Sequence, residues 1–158
     1  MTHPYPPFMK ETIELSRRNI RTGKGGPFAA VVVKEDKIIA RGTNLVSSAN
    51  DPTAHAEIVA IREACRFLGT FQLTDCILYT SCEPCPMCLG AIYWARPKAV
   101  YYANTRGDAA SIGFDDEFIY REMTLPLSER KILMRQLLRD EAFEVFLEWQ
   151  KIENKIPY

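Results

Sequence analysis

The sequence has no excess of charge of either sign and no long apolar run. Its 158 residues contain 20 Lys and Arg against 20 Asp and Glu, whereas proteins that bind long nucleic acids draw much of their affinity from surplus Lys and Arg. No apolar stretch approaches the roughly 18 residues that a transmembrane helix needs. The charge balance therefore argues against a nucleic-acid partner, and the absence of a long apolar run argues against insertion into a membrane.

Signals for secretion and for phosphate binding are also missing. Residues 1–7 contain neither a basic segment nor an apolar one, so they do not resemble a signal peptide, and we expect a cytoplasmic protein. The glycines between Gly23 and Gly26 lack the G-x-x-x-x-G-K-[ST] spacing of a phosphate-binding loop and predict a turn instead. Histidine is scarce, because only His3 and His55 occur.

The five cysteines do not indicate a disulfide framework, because their number is odd and no secretory signal accompanies them. Cys65 and Cys76 lie in apolar stretches, and we expect both to be reduced core residues. The other three, Cys82, Cys85 and Cys88, follow one another at intervals of three residues. That spacing calls for a different explanation.

The apolar pattern predicts helices alternating with strands. The predicted strands are residues 28–33, 37–44, 76–80, 98–103 and 132–137, and the predicted helices are residues 8–21, 54–68, 84–95, 117–123 and a last one capped by Asp140. The segment 132–137 fits a strand or a helix by periodicity, and we favour a strand. Length and composition indicate one domain over residues 1–158. The alternation predicts an α/β fold with three α/β/α layers.

Two short motifs stand at the starts of two of these helices. The first is H-x-E at His55–Glu57, and the second is P-C-x-x-C at Pro84–Cys88. Cys85 and Cys88 would share one helical face and could bind one ion, and the positive end of the helix favours their thiolate forms. His55 could supply a nitrogen ligand, because both helix starts would lie at the same edge of the sheet. Zinc held by three such ligands keeps its fourth position open for water.

Glu57 follows His55 by two residues, so it would reach the water on the metal rather than the metal itself. Zinc lowers the pKa of such a water toward ~7. Glu57 could then accept the proton, deliver it to a ring nitrogen and help to protonate a leaving amine. These residue types in this order are the signature of zinc-dependent deaminases.

Other interpretations of the cysteines are open at this point. A Cys-x-x-Cys pair also occurs in redox dithiols, and an iron–sulfur motif would place a fourth cysteine where Ile92 stands. A closed structural zinc site would use Cys82 as its fourth ligand and leave no place for water. A Ser-His-Asp hydrolase would need His55 or His3 as its base, and no nucleophile elbow is present.

The sequence resembles the cytidine-deaminase superfamily, which includes cytosine deaminases, tRNA adenosine deaminases and guanine deaminases. The resemblance covers about residues 25–120 and the C-terminus, and the stretches Tyr79–Val100 and Gly113–Tyr120 and the terminal Tyr158 are typical of the small bacterial guanine deaminases. It implies a five-stranded mixed sheet between helices, one zinc ion per chain and a homodimer. The implied reaction is the hydrolysis of guanine to xanthine and ammonia.

The resemblance also implies roles for residues outside the metal motif. Asn44 would hydrogen-bond the edge of the base, and Phe28 would line the pocket. Asp116 would contact the base and assist proton transfer to the departing amine. The backbone N–H of Ala56 would contact a substrate carbonyl, and Tyr158 would close over the base.

The C-terminal helix and tail, about residues 138–158, are accordingly expected to close the pocket. The alternatives within the superfamily are a tRNA adenosine deaminase and a cytosine deaminase. Neutral charge and a C-terminal lid argue against a tRNA substrate. A structural-zinc module without activity is a further alternative, and Glu57 argues against it because a scaffold has no use for a proton shuttle.

Overall fold

The computed structural model describes residues 4–158, which form two compact units. The first unit ends at Asp116 and the second spans Glu117–Tyr158. His3, considered above as an alternative base, lies outside the described residues. Among residues 4–158, no helix has both the length and the apolar character that crossing a bilayer requires.

A four-stranded mixed sheet forms the centre of the first unit. Its strands in chain order are β1 (Ala29–Lys34), β2 (Lys37–Thr43), β3 (Ile77–Cys82) and β4 (Ala99–Asn104). They lie side by side in the order β2-β1-β3-β4. Strand β1 is antiparallel to β2 and to β3, whereas β3 and β4 are parallel. Strands β2, β3 and β4 therefore run in one direction, and their carboxyl ends meet at the same edge of the sheet.

Helices cover both faces of this sheet. The helices of the first unit are α1 (Pro6–Arg21), α2 (Val46–Ala49), α3 (Ala56–Leu68), α4 (Pro86–Ala95) and α5 (Arg106–Ser111). Helix α1 packs on one face, where Phe8 and Leu15 contact the cluster of Val31 and Tyr79. Helices α3 and α4 pack on the other face. The core there includes Ala30, Val32, Ala60, Leu78 and Ile92. The predicted three-layer α/β/α arrangement is confirmed.

Helix α3 approaches the sheet closely at Gly42 of strand β2. A Cβ atom at Gly42 would lie 2.1 Å from the carbonyl oxygen of Ala56 and 2.5 Å from the nitrogen of Ala60. Only glycine permits this approach. The start of α3, which carries His55 and Glu57, is therefore set directly against the strand.

The second unit is helical. It contains α6 (Glu117–Thr124), a short 3-10 helix (Leu127–Glu129) and α7 (Arg139–Lys151). The predicted last helix is present, but Leu138 occupies the N-cap position and Asp140 lies in the first turn.

The prediction of a fifth strand at residues 132–137 is wrong, because the sheet has four strands and this segment is irregular. A strand needs a neighbouring strand to pair its backbone groups, and none of the described strands pairs with it. Its apolar side chains are solvent-exposed, with Ile132 at 77% and Leu137 at 83%. Its short apolar run carries no period-2 alternation, so nothing local in the sequence separated a strand from an exposed loop.

Candidate metal centre and pocket

The three predicted metal ligands stand at the starts of two neighbouring helices. His55 is the N-cap residue of α3, and Cys85 is the N-cap residue of α4. Cys88 follows in the first turn of α4 and is fully buried. Since β2 precedes α3 and β3 precedes α4 in the chain, the two helix starts lie at the edge where these parallel-running strands end, as the sequence predicted.

The donor atoms of these residues are close enough to share one ion. The Nδ1 atom of His55 lies 3.5 Å from Sγ of Cys85 and 3.5 Å from Sγ of Cys88, and all three ligand atoms lie within 4.8 Å of one another. Zinc bonds of ~2.0 Å to nitrogen and ~2.3 Å to sulfur place two corners of a tetrahedron about 3.5 Å apart. The donor set and its spacing therefore fit one zinc ion.

The two thiols differ in their readiness to ionise. A hydrogen bond from the Cys88 thiol, followed by one with His55, lowers the pKa of Cys85 to about 4. The pKa of Cys88 is raised, because its thiol donates a hydrogen bond to Cys85 and because the side chain is buried. Cys85 is therefore a thiolate at neutral pH, which is the form that binds a metal.

Cys82 is not part of this group. Within residues 4–158 the set of side chains able to hold a metal together is His55, Cys85 and Cys88. The Cys82 thiol instead faces the carbonyl oxygen of Thr105 at 3.6 Å, and burial raises its pKa to about 11. This arrangement disfavours the closed four-ligand site, because the Cys82 sulfur is directed to Thr105 and does not converge with the other three donor atoms.

Glu57 lies in the first turn of α3 and is buried beside the ligands. Its Oε1 accepts a hydrogen bond from the hydroxyl of Thr80 at 3.1 Å, and its Oε2 lies 3.5 Å from the sulfur of Cys88. Burial raises the pKa of this carboxyl group, since a low-dielectric surrounding disfavours the charged form. A carboxyl group poised in this way can both take and give a proton.

A cavity of about 570 Å³ opens onto the ligands and Glu57. Its lining includes the predicted site residues Phe28, Asn44, His55, Glu57, Cys85 and Asp116. This volume lies in the range typical of small-molecule sites. The structure thus brings six of the predicted site residues into one concave surface.

Three predicted site residues stand apart from that lining. Cys88, which is placed to bind the ion, lies beneath the surface, and Ala56 is also fully buried. As the first residue of α3, Ala56 carries one of the N–H groups that have no acceptor within the helix. Tyr158 belongs to the second unit, so its closure over the base stays a prediction.

The pocket wall combines an aromatic pair with a carboxyl group. Phe28 and Phe114 meet edge to face, with ring centroids 4.9 Å apart. Burial raises the pKa of Asp116, and the nearby Arg106 guanidinium opposes that shift. Flat apolar walls beside a titratable group suit a planar heterocycle that undergoes proton transfer.

Sequence reasoning gave no role to Glu83 and Arg106, which also line the cavity. The backbone N–H of Arg106 donates to the Glu83 carboxylate at 3.1 Å, so α5 begins against the loop that leads to the metal ligands. One signal could have found Arg106. It follows β4, whose carboxyl end reaches the same sheet edge as the ligands.

Known proteins resemble this chain over nearly its whole length. The family model for the cytidine and deoxycytidylate deaminase zinc-binding region matches residues 5–104. Guanine deaminase from Bacillus subtilis is 56% identical over 151 residues, which are 96% of this chain and 97% of that protein. The tRNA-specific adenosine deaminase from Aquifex aeolicus is 33% identical over 94% of this chain and 96% of its own. The X-ray structure of the Bacillus subtilis guanine deaminase matches with a TM-score of 0.95, 54% identity and 99% coverage of both chains.

Proposed function

The chain belongs to the cytidine and deoxycytidylate deaminase zinc-binding family, and from this premise we propose that it hydrolyses guanine to xanthine and ammonia. The observation that carries the chemistry is the convergence of His55, Cys85 and Cys88 on one point beside buried Glu57. The observation that favours guanine is the 56% identity, over nearly the full length of both chains, with a guanine deaminase.

Zinc held by the three ligands supplies Lewis acidity, which brings the pKa of a water molecule toward ~7. The protein contributes the ligands and their placement. The Cys85 thiolate and the Cys88 sulfur lie at the start of α4, where the helix dipole favours negative charge. The ligands therefore require little rearrangement to receive the ion.

Glu57 moves the protons of the reaction. It accepts one from water as the water oxygen bonds to the ring carbon that carries the amino group, and it passes that proton to a ring nitrogen. The second proton of the water goes to the amino group, the carbon–nitrogen bond breaks, and ammonia leaves. Thr80 orients the carboxylate for this work through its hydrogen bond to Oε1.

The remaining pocket residues orient the base. We assign Asn44 to the edge of the ring, Phe28 to its face and the Ala56 N–H to a substrate carbonyl. Asp116 assists proton transfer to the departing amine, which its raised pKa supports. These assignments follow the position of Phe28, Asn44 and Asp116 in the pocket lining and the place of Ala56 at the start of α3.

A substrate panel tests the proposal. Ammonia release is measured for guanine, adenine, cytosine and a tRNA anticodon stem-loop under one set of conditions with the full-length zinc protein. We expect guanine to be preferred over each of the others by at least ~100-fold in kcat/KM, because a base with the wrong hydrogen-bonding groups leaves polar pocket atoms unpaired. Preference for the stem-loop would select tRNA adenosine deamination, which the 33% identity with such an enzyme makes the second candidate.

The C-terminal tail gives a second test. We propose that Tyr158 closes over the bound base, so deletion of the last residues 155–158 is expected to raise KM for guanine or to lower kcat by about tenfold, because the pocket would then admit water. Substitution of Tyr158 by Phe keeps the ring and serves as the matched control. Kinetics that the deletion leaves unchanged would remove Tyr158 from the site.

We further propose a homodimer. The second unit exposes large apolar side chains, among them Ile132 at 77%, Leu137 at 83% and Phe146 at 66%, and exposed apolar surface favours association. Light scattering on the purified protein is expected to give about twice the chain mass. The cytoplasmic location stays a prediction.

A further inference from the structure

Asn19 is a buried polar side chain to which the chemistry above assigns no role. It lies on α1 and is 3% exposed. Its Nδ2 group donates two hydrogen bonds of 2.9 Å, one to the carbonyl oxygen of Gly26 and one to the carbonyl oxygen of Asn44. A side-chain amide has two N–H donors, so both are used to join two backbone segments that are 18 residues apart in the chain.

Both of those segments border the pocket. Gly26 and Asn44 line the cavity that opens onto the metal ligands. The loop before β1 also presses against Asn44, since a Cβ atom at Gly25 would lie 2.1 Å from the Asn44 carbonyl oxygen. Asn19 therefore joins the loop at Gly26 to the backbone of Asn44, and the Asn44 side chain lies at this junction.

The Asn44 side chain is itself oriented by this pairing. Its Oδ1 accepts from the backbone N–H of Gly26 at 3.3 Å and from the backbone N–H of Val46 at 3.3 Å. With the oxygen occupied by two donors, Nδ2 is the polar group of Asn44 left to meet a ligand in the pocket. Asn44 thus offers a hydrogen-bond donor, and a base bound there must present an acceptor atom to it.

We propose that Asn19 is a positioning residue that, by bridging Gly26 and Asn44, fixes the Asn44 amide with its NH₂ group toward the substrate and so selects bases with an acceptor at that edge. The inference rests on the proposed function, because it assigns Asn44 to the edge of the base. Asn19 acts only through Asn44, since its own donors are occupied by backbone carbonyl groups.

The physical consequence of losing Asn19 is local. Without its donors the Asn44 carbonyl loses this partner and the Gly26 carbonyl keeps only the backbone N–H of Phe28 at 2.8 Å, so the link between the two segments is lost and the Gly26 loop can move away from Asn44. The Gly26 N–H then no longer holds Oδ1, so the Asn44 amide can rotate and present its oxygen to the base. A misoriented amide weakens substrate binding, whereas Glu57 and the metal ligands on α3 and α4 are not disturbed.

Two variants of Asn19 and one control test this on the full-length zinc protein. Asn19→Ala removes both donors and is expected to raise KM for guanine about tenfold while kcat changes less than about threefold and zinc content stays constant. Asn19→Ser keeps one hydroxyl donor and should give a smaller rise. Thr12→Val is the matched control. Thr12 is buried on the same helix, and its hydroxyl donates to the Phe8 carbonyl one turn earlier in that helix, so its variant should lower stability without raising KM.

A double-mutant cycle separates positioning from a general structural effect. In an Asn44→Ala background, Asn19→Ala should change KM by less than about twofold, because the group through which Asn19 acts is gone. The inference is overturned if Asn19→Ala lowers Tm as much as Thr12→Val does and changes KM no more than Thr12→Val does. It is also overturned if Asn19→Ala raises KM to the full extent in the Asn44→Ala background. The proposed function fails separately if the wild-type protein releases no ammonia from guanine. In that case the same cycle is run on whichever substrate of the panel is deaminated.

Discussion

Replacement of Glu57 by Gln is expected to lower kcat for guanine by at least ~1,000-fold, because an amide can neither take the proton from water nor return it to the substrate. The amide keeps the shape of the carboxylate and can still accept from the Thr80 hydroxyl, which bonds Oε1 in the wild-type protein. Zinc content should therefore stay at about one per chain. The kinetics of ammonia release give kcat, and metal analysis of the same sample gives the zinc content per chain.

Glu63→Gln is the matched control for that experiment. Glu63 lies on the same helix, is exposed and pairs with Arg66, so the same chemical change there should leave kcat and zinc unaltered. An exposed ion pair of this kind contributes little to stability. A Glu57→Gln protein that retains zinc and turns over guanine at the wild-type rate would refute the role given to Glu57.

Replacement of Cys88 by Ser is expected to abolish turnover by removing the metal. Cys88 is fully buried, and its sulfur lies 3.5 Å from the His55 nitrogen, so the variant loses one of the three donors that converge on the ion. A serine hydroxyl stays protonated at neutral pH and binds zinc poorly compared with a thiolate. Metal analysis should find less than about one tenth of the wild-type zinc, with activity falling in parallel.

Cys82→Ser is the control for the metal experiment and also tests the four-ligand alternative. Its thiol faces Thr105 rather than His55, Cys85 and Cys88. The Cys82→Ser protein should therefore retain about one zinc per chain. Loss of zinc in this variant as large as in Cys88→Ser would mean that the cysteine is a ligand and that the site is closed.

The metal site could be predicted from the sequence because its geometry is local. Cys85 and Cys88 belong to one helical turn, and His55 and Glu57 to another. The spacing within each motif therefore determined which side chains share a face. The two motifs also have to lie near each other, and they do so because strands β2 and β3, which precede the two helices, run in one direction. Asn44 could be placed at this edge for the same reason, because it directly follows β2.

Other parts of the site depend on contacts that spacing does not reveal. Asn19 reaches Asn44 across 25 residues of sequence, and nothing in the pattern of α1 distinguishes it from a polar residue at the helix surface. The backbone N–H of Arg106 meets the Glu83 carboxylate across 23 residues of sequence. Both contacts require the tertiary arrangement to be known.

The error at Ile132–Leu137 has a related cause. A strand is defined by its neighbour, and the short apolar run at this place contains no information about a partner. The segment is exposed and unpaired by any described strand. Long, strongly patterned elements such as β1 and α3 were predicted within a few residues, because a fully buried strand and a helix closed by Gly69 carry their signals in their own residues.

A crystal structure of the full-length protein, determined with zinc and with anomalous data at the zinc absorption edge, tests the central claim most directly. The claim is that the protein supplies three donors to zinc and leaves the fourth position for the reaction. We expect one nitrogen from His55 at ~2.0 Å and two sulfurs from Cys85 and Cys88 at ~2.3 Å, with the fourth position held by an atom that is not part of the protein. A fourth bond from the Cys82 sulfur or the Glu57 carboxylate would contradict the account.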